Sequence, residues 1–150
     1  MNDELLELYQ EMILDHGKRP RNFGERDDAE RSAEGANPLC GDQCRVMLDV
    51  EDGKLERVKF DGQGCAISTA SASLMTEAVA GLSLEEAREL FERLHDLVTK
   101  DDASPDSRLG KLAVFAGVRN FPLRVKCATL AWHTLLAALE GKEEKVSTEE

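Results

Sequence analysis

Apolar positions first recur at helical spacing. Leu5, Leu8, Tyr9, Met12 and Ile13 fall at i, i+3 and i+4 steps, which predicts an amphipathic helix over residues 4–15. Residues 16–39 lose that period and fill with Gly, Pro, Arg, Asn and acids, the composition of extended chain and loop. The period then becomes two. Val46, Leu48 and Val50 alternate with Arg45, Met47 and Asp49, and a second run passes through Val58 and Phe60. Asp52-Gly53 between the runs predicts a tight hairpin turn, and a third strand from the 30s is needed for the hairpin to bury a face.

From residue 66 onward the pattern is helical again. Residues 66–80 are small and apolar, which permits close helix packing. Ser83 with Glu86 forms a capping box for a helix through about Val98. Lys100 to Ser107 is a polar loop, Leu109–Val118 a short apolar helix, and Pro122 separates it from a last helix over residues 123–140. The charged tail from Gly141 to Glu150 is expected to fray. No internal repeat appears, so residues 1–150 are expected to form one α+β domain, strands early and helices late.

Composition narrows the function classes. The chain has 150 residues, is 41% hydrophobic and carries a formal charge of −11. That charge disfavours nucleic acid and anionic membrane as partners and favours a protein with a basic patch. The N-terminus has neither a basic stretch nor a long apolar one, so no signal peptide is expected, and no run is long enough to span a bilayer. Four cysteines without such a signal point to a reducing cytoplasm, where thiols serve metals or chemistry.

Three of those cysteines stand in distinctive contexts. Cys40 opens Cys-Gly-Asp, Cys65 follows Gly-Gln-Gly, and Cys127 lies in Arg-Val-Lys-Cys-Ala at the start of an apolar helix. With Asp42 they make four ligands of the kinds a tetrahedral Zn²⁺ accepts. Gly41 and Gly64 let the backbone turn tightly beside two of them. Placement of Cys65 and Cys127 at helix N-termini would favour their thiolates. The alternative is a set of buried, inert cysteines. Cys44 alternates with Val46 and Leu48 and is expected in the core. His133 lies about 240° around the helix from Cys127 and cannot join its site. His95 is expected in solvent, and His16 as a partly cationic end to the first helix, or else part of a docking surface with Arg19 and Arg21. Arg124 and Lys126 flank Cys127. They serve either as cations and donors behind a site of net charge −2 or as ordinary exposed residues of a helix start.

The segments LYQEMILDHGKRPRNFG, NPLCGDQC, GQGCAISTASASLM and FPLRVKCATLAW together resemble the IscU/SufU family of iron–sulfur cluster assembly proteins. The resemblance runs over nearly the whole chain. It implies the family fold, a three-stranded antiparallel sheet packed by helices with the metal site exposed at one end. Scaffold-type IscU proteins carry His immediately before the last Cys, where this chain has Lys126, and a Leu-Pro-Pro-Val-Lys segment gripped by a dedicated Hsp70, where it has Phe-Pro-Leu-Arg-Val. The stretch between Cys65 and Cys127 is also longer, as in SufU, and the chain is more similar to that branch.

The resemblance implies zinc held by Cys40, Asp42, Cys65 and Cys127, and a pyridoxal-phosphate-dependent cysteine desulfurase as partner. In SufU-like proteins a histidine of the desulfurase replaces one cysteine on zinc, and the released thiolate takes the persulfide sulfur. Cys40 is the matching acceptor, which would make the chain a sulfurtransferase-like carrier supplying downstream assembly proteins. Two alternatives stand beside it. One is a scaffold on which iron binds and a [2Fe–2S] cluster forms on the same cysteines; the other is a structural zinc domain for protein binding.

Overall fold

The N-terminal stripe folds as helix α1, Asp3–Lys18, three residues longer at its C-terminus than its apolar period predicts. The computed structural model describes residues 3–24, 26, 28–37, 41–100, 109–140 and 146–147. Tyr9, Met12 and Ile13 pack against the core, whereas Leu8 and Leu14 are exposed. His16 departs from expectation. It is buried, with Nδ1 2.7 Å from Ser73 Oγ, and Ser73 Oγ also accepts the Arg21 amide at 2.8 Å. Asn22 donates to Thr76 Oγ1 at 3.0 Å in the same seam. The ring is therefore a polar tie between the end of α1 and the next helix, not a cationic cap.

Burial, helped by Arg21 and Lys111, holds the His16 pKa below its usual 6.5, with Glu77 and Asp15 only partly opposing. A group with a depressed folded pKa contributes stability that is intact above the unfolded value and lost as pH falls through the folded one. The urea midpoint should thus hold steady above pH 6.5 and decline below it. A His16→Asn variant, able to keep a bond to Ser73, should show a shallower decline between pH 6.5 and 5.5; parallel curves would rule His16 out as the cause.

The strands form an antiparallel meander: β1 Arg31–Asn37, β2 Asp42–Glu51 and β3 Lys54–Gln63. Asp52 and Gly53 both have positive φ, 54° and 76°, the signature of a type I′ hairpin turn. Leu55, Val58 and Phe60 are all buried although their spacing breaks the period of two. A bulge at Arg57, φ 48°, supplies the extra residue and returns all three to one face. Two tail residues add a short parallel strand β4, Val146–Ser147, beside Gly35 and Ala36, so the order is β3-β2-β1-β4.

Both faces of β2 are covered. Val46 and Leu48 face the helices, but Met47 and Asp49, expected on the solvent side, are buried too. The connection before β1 crosses that second face. The Arg26 amide donates to Met47 Sδ at 3.2 Å, and its guanidinium reaches Asp49 at 2.9 Å and the Arg57 carbonyl at 2.9 Å.

Helix α2, Ala66–Val79, buries Ser68, Ala70, Ser71, Ala72 and Ser73. These small side chains let α1 approach so closely that a methyl on Gly17 would lie 3.2 Å from Ala66 Cβ. Helix α3, Leu84–Thr99, begins with the expected capping box, Ser83 and Glu86 bonded reciprocally. The short apolar helix is a 3₁₀ helix over Gly110–Asn120. Leu112, Phe115 and Val118 are buried at steps of three, the repeat that lines one face of that geometry. The polar loop expected over Lys100–Ser107 lies, beyond Lys100 itself, outside the described residues. Pro122 opens helix α4, Pro122–Leu139, which lies over β1 where a methyl on Gly35 would meet Thr134 Oγ1 at 2.2 Å. Trp132, Phe115, Leu48, Leu74 and Leu135 fill the space between sheet and helices. No described helix is long and apolar enough to cross a membrane.

Candidate metal centre

Three of the four candidate ligands converge. Asp42 is the first residue of β2, Cys65 lies between β3 and α2, and Cys127 sits on α4. Their ligand atoms all lie within 4.8 Å of one another, and among the described residues they form the group able to hold an ion. Two thiolates 2.3 Å from one zinc at a tetrahedral angle are about 3.8 Å apart, so this donor set fits such an ion. Cys65 Sγ and Asp42 Oδ2 are 3.9 Å apart. Asp42 and Cys127 are only 1% and 3% exposed, whereas Cys65 is open to solvent. The site therefore has a closed back and an open front. Cys40 falls outside the described residues and precedes Asp42 by two in sequence.

Local chemistry explains the arrangement. Cys65 is the N-cap of α2, and its sulfur accepts the Ser68 amide at 3.4 Å. Its own amide donates to Asp42 Oδ1 at 2.9 Å, which leaves Oδ2 directed at the sulfur. Gly64 makes this approach possible. A methyl there would lie 2.7 Å from Asp42 Oδ1. Cys127 differs from expectation, since it stands in the second turn of α4, past the reach of the helix-end charge.

The two thiols are hydrogen-bonded to each other. A hydrogen bond from Cys127, with the Ser68 and Ile67 amides, lowers the Cys65 pKa to about 6 against the cost of burial. That bond, followed by burial and the Asp42 carboxylate, pushes Cys127 up. Cys65, exposed at a helix start, is thus the more acidic of the two thiols, and an arriving cation displaces the proton between them.

The remaining candidates sort cleanly. Cys44 is buried in the core as expected, its pKa pushed up to about 12 by burial and by Asp61. His133 packs edge-on against Phe91 at 5.0 Å, and His95 meets the same ring from α3 at 5.8 Å. Arg124 is exposed, its guanidinium 4.7 Å above the Phe121 ring, and Lys126 is half-buried. Sequence reasoning missed the capping role of Cys65 and the Asp42 tether. Gly64 was the available signal, because a glycine beside a ligand marks a close approach.

The family model for the NifU-like N terminal domain matches residues 8–145. The iron-sulfur cluster assembly scaffold protein IscU of Streptococcus pyogenes serotype M1 is 40% identical over 137 residues, 91% of this chain and 86% of that protein. The zinc-dependent sulfurtransferase SufU of Bacillus subtilis strain 168 is 39% identical over 142 residues, 95% of this chain and 96% of the relative. A crystal structure of a putative iron-sulfur cluster assembly scaffold protein for the SUF system from Fervidobacterium islandicum AW-1 superposes with a TM-score of 0.82 at 34% identity, covering 92% of this chain and 99% of that one.

Proposed function

Because this chain belongs to the NifU-like N-terminal domain family, we propose that it serves iron–sulfur cluster assembly by accepting persulfide sulfur from a cysteine desulfurase. The observation that carries the reading is the convergence of Asp42, Cys65 and Cys127 on one half-open centre. Cys40, two residues before Asp42 in the chain, supplies the fourth ligand and the acceptor thiol. Zinc, when bound, would keep the thiols deprotonated at neutral pH. Cys127 and Asp42 are the fixed ligands, held by α4 and by the Cys65 amide. Arg124 and Lys126 offset the negative charge of three thiolates and a carboxylate.

The transfer balances as an exchange between sulfurs. The Cys40 thiolate attacks the outer sulfur of the donor's persulfide. A new S–S bond forms on Cys40, the donor's S–S bond breaks, and the donor cysteine departs as a thiolate. A partner histidine taking the place of Cys40 at the centre would free that thiolate only in the donor's presence.

The names of two relatives support a second reading. The IscU proteins of Streptococcus pyogenes and Thermotoga maritima, each 40% identical, are called scaffolds, and the same ligands suit a [2Fe–2S] cluster. Native and peptide mass spectra of zinc-loaded protein, recorded after incubation with desulfurase and cysteine, separate the two. One added sulfur on Cys40, absent in Cys40→Ser, is expected with zinc retained. No added sulfur on zinc-loaded protein, with cluster assembly once iron replaces zinc, would make the chain a scaffold.

A further inference from the structure

The net charge of −11 conceals a strong segregation. Residues 16–24 contain Lys18, Arg19 and Arg21 and no acid, and residues 62–76 contain no charged side chain. Residues 107–139 contain Arg108, Lys111, Arg119, Arg124 and Lys126 and again no acid. At the chain's mean density of one acid in five residues, that last window alone would hold about seven. Cys65 lies in the second window and Cys127 in the third.

The fold brings the windows together. Gly17 abuts Ala66, which places Lys18 and Arg19 beside the helix start that carries Cys65. His16 feels both Arg21 and Lys111 electrostatically, together with the acids Glu77 and Asp15, so the first and third windows meet as well. Lys18 is exposed, and the Arg19 side chain is 85% exposed with only a 3.7 Å contact to Asp15, an acid already bonded to Arg21 at 2.7 Å. On the Cys127 side, Phe121 and Leu123 are 49% and 55% exposed next to Arg124. An apolar pair with a cationic surround is the anatomy of a protein-binding face.

We infer that this basic collar docks an acidic protein surface surrounding the donor cysteine, with Lys18 and Arg19 as its steering residues. The inference rests on the sulfur-acceptor reading. It also revises what the total charge implies. An acidic partner is repelled by acid-rich α3 and by the acids along the body of α1 and attracted at the collar beside Cys65, so the segregated field selects orientation as well as rate.

The test compares two double variants with the same total charge. Lys18→Glu/Arg19→Glu reverses the collar, and Arg88→Glu/Lys100→Glu reverses two exposed cations on α3 and at its C-terminal cap. Sulfur transfer from the organism's own cysteine desulfurase is measured at low and high salt, together with zinc content. Reversal of the collar should raise the KM for this protein by about tenfold at low salt, with kcat and zinc content unchanged. That gap should close at about 0.5 M salt. The neutral pair Lys18→Gln/Arg19→Gln should give a smaller rise of the same kind, and the α3 variant should stay close to wild type. Equal KM shifts in the collar and α3 variants would assign the effect to total charge and overturn the proposal, as would no shift in either. Loss of zinc with a fall in kcat would instead make Lys18 and Arg19 part of the metal centre's charge balance. A wild-type protein that takes no sulfur while holding zinc would fail earlier, on the acceptor reading itself.

Discussion

Cys65→Ser is expected to give up zinc to a competing chelator at least about 100-fold more readily than the wild-type protein, while the metal-free chain keeps or slightly gains stability. The two halves of this result have separate causes. A serine hydroxyl stays protonated at neutral pH and is a poor partner for zinc, so the site loses the thiolate at its open front. The same position is the N-cap of α2, where the sulfur, a weak acceptor, takes the Ser68 amide at 3.4 Å. Serine is among the preferred N-cap residues, and its shorter side chain accepts that amide at ordinary length, worth up to about 1 kcal/mol. The Cys65 amide still donates to Asp42 Oδ1, because that bond belongs to the backbone. Chelator competition with thermal melts in excess chelator reads both effects. Unchanged zinc affinity would remove Cys65 from the ligand set. Collapse of the metal-free variant would show that the fold leans on the thiol in a way a helix cap does not explain.

Much of this architecture is written in the sequence because it depends on local rules. The two hairpin strands follow from alternation, their turn from Asp52-Gly53, and α3 from Ser83 and Glu86. The bulge was legible in principle, since Leu55, Val58 and Phe60 keep one face only if an extra residue intervenes. Other features depend on what the rest of the chain does. Met47 and Asp49 alternate like solvent-facing positions, and only the path of Arg26 across the sheet buries them. A helix-ending histidine reads as a cap until Ser73 is found above it. Buried apolar residues at steps of three also fit an α-helix too short to show its true period, so the 3₁₀ geometry of 110–120 was invisible. The centre itself was legible as a set of residue types. Its assembly was not, because Asp42, Cys65 and Cys127 come from three separate elements that only the tertiary fold superimposes.

Gly62→Ala should damage stability and metal binding together. Gly62 has φ 132°, a conformation alanine avoids, and its pair on β2 is Cys44. A methyl at this position would lie 2.1 Å from the Gln43 carbonyl oxygen, 2.9 Å from the Gln43 carbonyl carbon and 3.0 Å from Cys44 Cα. All three are backbone atoms of a paired strand, so no side chain can rotate away to relieve the clash. Strain and overpacking together should cost about 3 kcal/mol or more, a fall of about 6–12 °C in Tm for a domain of this size. Gly53→Ala separates the two causes. It also has positive φ, 76°, but nothing lies within 4 Å of the added methyl, so strain alone should cost it about 1–2 kcal/mol. The excess in Gly62→Ala is the clash, and it falls where the site is built. Relief requires β3 to part from β2 beside Gln43 and Gln63, the end of the sheet from which Asp42 and Cys65 project. The Asp42 Oδ1 bond to the Cys65 amide spans that gap, so Gly62→Ala should weaken zinc binding although residue 62 is no ligand, and Gly53→Ala should leave it intact. Urea denaturation and zinc competition on the two variants check both statements. Equal stability losses would mean that the strands separate at little cost, and an unchanged zinc affinity in Gly62→Ala would show that the sheet end does not govern metal binding.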